Sequence, residues 1–190
     1  MSITANEVLD AKGLACPMPI VKTKKAITNL EAGQVIEVQA TDKGSTADMK
    51  AWAESTGNQY LGTIEDGDVL KHYLRKASDI EEKAETKYED VLNLDELRNK
   101  VDGEESISVL DVRESAEYAF GHIPGAVNIP LGELEERFEE LNKDEEIHVI
   151  CRTGSRSDLA AQKLSEKGFK HVKNVVPGMS SWEGQTEGNQ

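Results

Sequence analysis

Short apolar runs alternate with amphipathic stretches over the first 77 residues. The pattern predicts strand, helix, strand, helix and a closing hairpin. Val8-Leu9 leads into Gly13, and Ile20, Val21, Ala26, Ile27 and Leu30 then mark one helical face behind Pro17 and Pro19. Gly33 ends that helix, and Val35 to Ala40 reads as a strand. Ser45 or Thr46 is placed to cap a second helix bearing Met49, Trp52 and Ala53, closed by Gly57. Tyr60 to Ile64 and Val69 to Leu74 flank Glu65-Asp66-Gly67-Asp68, a hairpin signal of the Asp-Gly kind.

From Asn93 the order changes. Asn93 or Asp95 is placed to cap a short helix through Leu97, followed by a buried-looking strand over Ile107 to Val112. A strand at Ala126 to Ile129, a helix over Leu134 to Leu141 and a strand at Ile147 to Ile150 come next. A helix after Arg156 runs through Lys167, and Val172 to Val176 is the last strand. Strands alternating with helices indicate an α/β class with a largely parallel sheet.

Charge divides the chain in the same way. The 190 residues carry 36 acidic against 22 basic side chains, a net charge of -14. Residues 1–80 are nearly balanced, whereas residues 93–190 hold 20 acids and 11 bases. The stretch from Glu81 to Asp90 has no apolar stripe and reads as a solvated connector, with a helical connector as the rival. The expected organisation is a domain over 1–77, an acidic linker over 78–88 and a domain over 89–190. At 5–6 Å per square-root residue, a flexible connector of about 13 residues has a root-mean-square reach of about 20 Å.

The acidity argues against direct nucleic-acid binding. Two cysteines exclude a disulfide framework and zinc sites built on cysteine pairs. No metal or cofactor is implied. The chain has no apolar stretch of 18 residues, and Met1 to Glu7 lacks the layout of a signal peptide. The expectation is a cytoplasmic protein without membrane attachment. What remains is the purpose of two thiols.

Cys151 ends an apolar strand and is followed by Arg152-Thr153-Gly154-Ser155-Arg156-Ser157, where a helix begins. Such a turn gathers backbone N–H groups at a helix N-terminus, and two arginines add full positive charge. A thiol there is expected to ionise below its usual range and to face an anion cradle. The bland alternative, a small apolar cysteine ending a core strand, has no need of two cations.

Cys-Arg-Thr-Gly-Ser-Arg-Ser resembles the active loop of single-domain rhodaneses. Leu110-Asp111-Val112-Arg113-Glu114, Glu117-Tyr118 and Gly121-His122-Ile123-Pro124-Gly125 agree with the same family, as do Gly168-Phe169 and Pro177-Gly178-Met179 to Trp182. Pro177 stands where many members have a glycine. Cysteine phosphatases place five residues between nucleophile and arginine, against four between Cys151 and Arg156. The resemblance implies a three-layer α/β domain in which Cys151 accepts a sulfane sulfur and holds it as a persulfide. Arg152 and Arg156 would attract the anionic donor, and the loop from Thr153 through Gly154 and Ser155 to Arg156 would stabilise the persulfide anion. His122 reads as part of a turn rather than a base, and Asp111 with Arg113 as a buried ion pair or loop support.

Cys16 lies in Gly13-Leu14-Ala15-Cys16-Pro17-Met18-Pro19, at the mouth of the first helix. The helix terminus and Lys22, Lys24 and Lys25 are expected to favour its thiolate. Spacing alone leaves open an incidental cysteine in a proline-ended loop. The segment resembles the small CPxP sulfur carriers of the TusA-like family, and Thr41-Asp42, Asp48 and Trp52 continue the pattern. That likeness implies a two-layer α/β sandwich, βαβαββ, whose cysteine passes persulfide sulfur between proteins.

The combined expectation is a sulfurtransferase with Cys151 and Cys16 as two stations. Thiosulfate or a persulfide would be the donor, and a small thiol or a protein the acceptor. The alternative is a non-catalytic persulfide carrier or sensor in which the rhodanese domain only docks partners.

Overall fold

The computed structural model describes residues 3–77, 87–103 and 105–189 and divides the chain near Asp79 into two compact units. In the first, β1 (Glu7–Ala11), α1 (Met18–Ile27), β2 (Val35–Ala40), α2 (Ser45–Thr56), β3 (Gln59–Asp66) and β4 (Val69–Arg75) follow the predicted order. The sheet runs β1-β2-β4-β3, with β1 parallel to β2 and the other pairs antiparallel. Alternate residues Ile36 and Val38, with Leu74 of β4, meet Ala26, Ile27, Met49 and Ala53 of the two helices in one core. This is the βαβαββ two-layer sandwich.

Local details differ from the sequence reading. The hairpin turns on Gly67 and Asp68, because Asp66 still pairs with Val69. Gly44, not a hydroxyl side chain, occupies the cap of α2. Ser45 instead donates to Asp42 O at 2.6 Å and meets Nε2 of the fully buried His72 at 2.8 Å. With its single proton committed to Asp42, Ser45 accepts from Nε2, so Nδ1 of His72 accepts from Thr63 Oγ1 at 2.8 Å.

Burial lowers the His72 pKa from 6.5 to about 4. The unfolded chain therefore binds a proton that the folded unit refuses between those pH values. His72's contribution is complete above pH 6.5 and is lost as pH falls towards 4, on the order of 3 kcal/mol in all. Denaturation of a Trp182→Phe chain, in which Trp52 alone reports on this unit, is expected to show that slope. A His72→Gln variant should flatten it; an unchanged slope would contradict the assignment.

The second unit holds β5 (Val91–Asn93), α3 (Leu94–Asp102), β6 (Ser108–Asp111), α4 (Ser115–Phe120), β7 (Val127–Asn128), α5 (Leu134–Arg137), β8 (Ile147–Ile150), α6 (Ser155–Glu166) and β9 (Val172–Val176). All pairs in the sheet β5-β9-β8-β6-β7 are parallel. Successive strand residues feed opposite faces. Leu110, Ile147, Val149 and Val172 pack under Ala160, Ala161 and Leu164 of α6. Val109, Ile150 and Val175 pack with Leu97 of α3, Ile123 and Trp182. The result is a three-layer α/β domain.

Asn93 caps α3 in a capping box with Glu96. The predicted helix over Leu134 to Leu141 is shortened to α5 between two 3-10 turns, Leu131–Glu133 and Phe138–Glu140. Most of the predicted linker, 78–86, lies outside the described residues. Its last two residues, Lys87 and Tyr88, donate their backbone N–H groups to Asp158 Oδ1 of α6 at 2.9 and 2.8 Å, so the chain is tied to this domain from Lys87 onward.

Candidate active site

Inward alternation along β8 carries Cys151 into the core side of the sheet, where it is fully buried. Gly154 caps α6 with φ +93°, and an added Cβ there would lie 3.2 Å from Pro177 O and 3.3 Å from Val176 Cγ1. This tight reversal turns the Gly154 N–H onto Cys151 Sγ at 3.1 Å. Ser157 Oγ stands 3.3 Å from the same sulfur and 2.6 Å from Asn174 Oδ1 of β9. The segment after β9 braces the loop from outside, because Met179 N donates to Cys151 O at 2.8 Å and Ser180 N to Arg152 O at 2.9 Å.

The six predicted residues from Cys151 to Arg156 thus run from the end of β8 through one reversal into the first turn of α6, but the two arginines differ. Arg156 is buried and holds Glu117 of α4 bidentately, at 2.7 and 3.0 Å. Its charge is answered within the fold, so the attraction of an anionic donor expected of it is corrected to bracing the first turn of α6. Arg152 is half-buried. Thr153 Oγ1 and Ser155 Oγ are buried without a hydrogen-bond partner among the described residues. Clefts of about 270 and 320 Å³ lie elsewhere, around Ile107, Ser108 and Glu145 at the N-terminal edge of β6 and β8, and include none of this loop.

His122 stacks on Tyr118 with ring centroids 3.6 Å apart. Its nitrogens meet Tyr118 O at 2.7 Å and Glu187 Oε1 at 3.2 Å, which ties the Gly121–Gly125 turn to the C-terminal segment. Arg113 grips Asp111 through Nε and a terminal nitrogen, the latter at 2.6 Å, and reaches Gly121 O at 2.8 Å. Glu117, Ser157 and Asn174 carried no assigned role in the sequence. Besides the agreement of Glu117-Tyr118 with the family, a local sign for Glu117 is its distance of three from Glu114, a capping-box spacing that the structure realises at α4.

Cys16 lies in the other unit, exposed, two residues before α1. Its backbone N–H donates to Asp42 Oδ2 at 3.1 Å, and Asp42 Oδ1 accepts from Gly44 N at 3.1 Å. The Asp48 side chain, hydrogen-bonded to the thiol, pushes its pKa up, with smaller contributions from desolvation and the charges of Asp48 and Asp42. This reverses the expectation that Lys22, Lys24 and Lys25 favour the thiolate. Those lysines stand at least one turn into α1, whereas the carboxylates of the 41–48 segment are folded against the cysteine. Asp48→Asn is therefore expected to lower the pKa and speed alkylation of Cys16 at neutral pH severalfold, read in a Cys151→Ser chain. Unchanged or slower alkylation would count against Asp48.

No helix among the described residues is long and apolar enough to cross a membrane. Residues 7–76 match the family model described as Sulfurtransferase TusA, and residues 93–185 match the Rhodanese-like domain. The Bacillus subtilis protein named "Putative sulfur carrier protein YrkF" is 55% identical over 183 residues, covering 96% of this chain and 98% of that one. "Putative sulfurtransferase YtwF" of the same organism is 46% identical over 91 residues, 48% of this chain and 87% of that one. Among solved structures, a rhodanese-like domain protein from Staphylococcus aureus superposes with a TM-score of 0.50 at 30% identity, over 54% of this chain and all of that one. Two sulfur-handling domains in this order, matched along nearly the whole length of a relative, place the chain in the family that joins a TusA domain to a rhodanese-like domain, with a role in sulfur transfer.

Proposed function

We propose that the chain is a rhodanese-type sulfurtransferase that moves sulfane sulfur as cysteine persulfide, from thiosulfate or a persulfide donor to a thiol or protein acceptor. The observation that carries this reading is the Gly154 N–H held 3.1 Å from Cys151 Sγ at the N-terminus of α6. In the first half-reaction the Cys151 thiolate attacks the outer sulfur of thiosulfate. The new S–S bond forms as the old one breaks, so Cys–S⁻ and S–SO₃²⁻ become Cys–S–S⁻ and sulfite. The added S–S bond is about 2 Å long and carries the transferable atom outward from a fully buried Sγ. An acceptor thiolate then attacks that outer sulfur and Cys151 leaves as thiolate.

Cys16 serves as the second station. A raised pKa leaves less of Cys16 ionised at neutral pH and slows its uptake of sulfur, but it also makes Cys16 a poorer leaving group, so a sulfur once taken up is retained until an acceptor is aligned. Free thiols on both domains suit a reducing compartment such as the cytoplasm. The burial of Cys151 favours a second reading, a persulfide carrier or sensor whose rhodanese domain docks partners.

Thiosulfate and cyanide separate the two. The enzyme reading expects thiocyanate from the wild type and none above background from Cys151→Ser. Equal, background-level rates from both proteins would leave the carrier reading.

A further inference from the structure

The side chains around Cys151 Sγ form a hydrogen-bond chain with one proton too few. Ser157 Oγ is 3.3 Å from the sulfur, 2.6 Å from Asn174 Oδ1 and 3.1 Å from Gly154 O, and both Ser157 and Asn174 are fully buried. A serine hydroxyl has one proton to donate. While Cys151 is a thiol, S–H donates to Ser157 Oγ and Ser157 O–H donates to Asn174 Oδ1. Once the sulfur is an anion it only accepts, and the Gly154 N–H is already placed on it.

We propose that Ser157 is a catalytic residue whose hydroxyl rotates to become the second donor to the Cys151 sulfur, and that Asn174 is a positioning residue that competes for the same proton. The inference rests on Cys151 being the sulfur-accepting nucleophile. The step is Cys151–SH to Cys151–S⁻, with the proton passing to bulk water and no change in oxidation state. Ser157 keeps its own proton and redirects it, breaking O–H···Oδ1 and making O–H···S⁻. The same donor then faces Cys151 when it leaves as thiolate in the second half-reaction. A hydrogen bond to a buried ion counts for more than one between neutral groups, so the contest favours the sulfur after ionisation.

The charged groups on the surrounding elements are arranged independently of this contest. Arg156 is closed on Glu117, and Arg113 on Asp111. Asp158 receives the Lys87 and Tyr88 N–H groups, and Arg152 belongs to the loop itself. None of these pairings passes through Ser157 or Asn174, so both substitutions below leave them in place.

The two residues make opposite expectations, which a general loosening of the loop does not. Thiolate absorbance in the ultraviolet, followed against pH in full-length Cys16→Ser protein without sulfur donor, isolates Cys151. Ser157→Ala removes a donor and is expected to raise the titration midpoint, leaving about tenfold less thiolate at a given pH below it. Asn174→Leu removes the competitor at similar volume and is expected to lower the midpoint, giving severalfold more thiolate. Ser157→Thr keeps a hydroxyl and is expected to stay within a few tenths of a unit of the parent. Shifts of the same sign in Ser157→Ala and Asn174→Leu, or no shift in either, would overturn the proposal. If Ser157→Ala does not fold, the direction for Asn174→Leu decides alone. Because no sulfur donor is present, the result stands apart from the thiocyanate assay: loss of turnover overturns the enzyme reading, and a wrong titration pattern overturns only the roles of Ser157 and Asn174.

Discussion

Replacing Glu117 by alanine is expected to lower the melting temperature of the rhodanese-like unit by about 12 °C or more. Arg156 is a buried cation, and its two hydrogen bonds to Glu117, at 2.7 and 3.0 Å, offset the desolvation of its guanidinium. Removing one partner of such a buried pair costs about 3–5 kcal/mol, a large part of the 5–15 kcal/mol typical of a whole domain. Glu117 also accepts the Glu114 N–H at 2.9 Å in the capping box of α4, so the helix end loses its partner too. The measurement is thermal unfolding of a Trp52→Phe chain, in which Trp182 reports on this unit. Adding Arg156→Met is expected to recover much of the loss, because it removes the buried cation that Glu117 neutralised. A Glu117→Ala protein that melts with the parent would show that Arg156 has found another sufficient partner.

Gly178→Ala is expected to reduce sulfur transfer by about a hundredfold or more, through displacement of the cysteine loop rather than loss of any reacting group. Gly178 has φ +127°, which a side chain resists. Space forbids one as well: a Cβ there would stand 2.5 Å from Cys151 O and 2.7 Å from Arg152 O. The neighbouring amides of Met179 and Ser180 hold those same carbonyls, so the strain enters the loop directly. Thiocyanate formation from thiosulfate and cyanide reads the effect. Gly132→Ala is the control, since nothing lies within 4 Å of its added Cβ and its backbone is not left-handed. Comparable loss in both variants, or none in Gly178→Ala, would contradict the bracing role.

The parts legible in the sequence were those whose cause is local. Cys151 to Arg156 are consecutive residues from a strand end into a helix, and a cysteine, a glycine and two arginines at that spacing announce a helix N-terminus built around a thiol. The alternation of strands with helices was also readable as a largely parallel α/β class, whereas the split of Val109 and Ile150 onto one face and Leu110 and Val149 onto the other came only with the fold. Features that depend on distant residues were not. Arg156 is 39 residues from Glu117, and Ser157 is 17 from Asn174, so nothing in the local pattern reveals that one arginine is spent on a carboxylate or that a hydroxyl is shared. At Cys16 nearness in sequence misled: the lysines follow the cysteine within ten residues, yet Asp42 and Asp48, 26 and 32 residues on, are what the fold brings to it. Short elements escaped for a related reason. The six-residue α4 and the three-residue β5 carry too few periods to stand out, and they exist through a capping box and through pairing with β9.

In the proposed transfer Cys151 first takes sulfur from the donor, and intact mass spectrometry after exposure to thiosulfate tests this most directly. Wild type is expected to gain sulfur, and Cys16→Ser to gain the mass of one sulfur atom on Cys151, removable by cyanide, whereas Cys151→Ser gains none. Full sulfur loading of Cys151→Ser, with the added atom on Cys16, would contradict it.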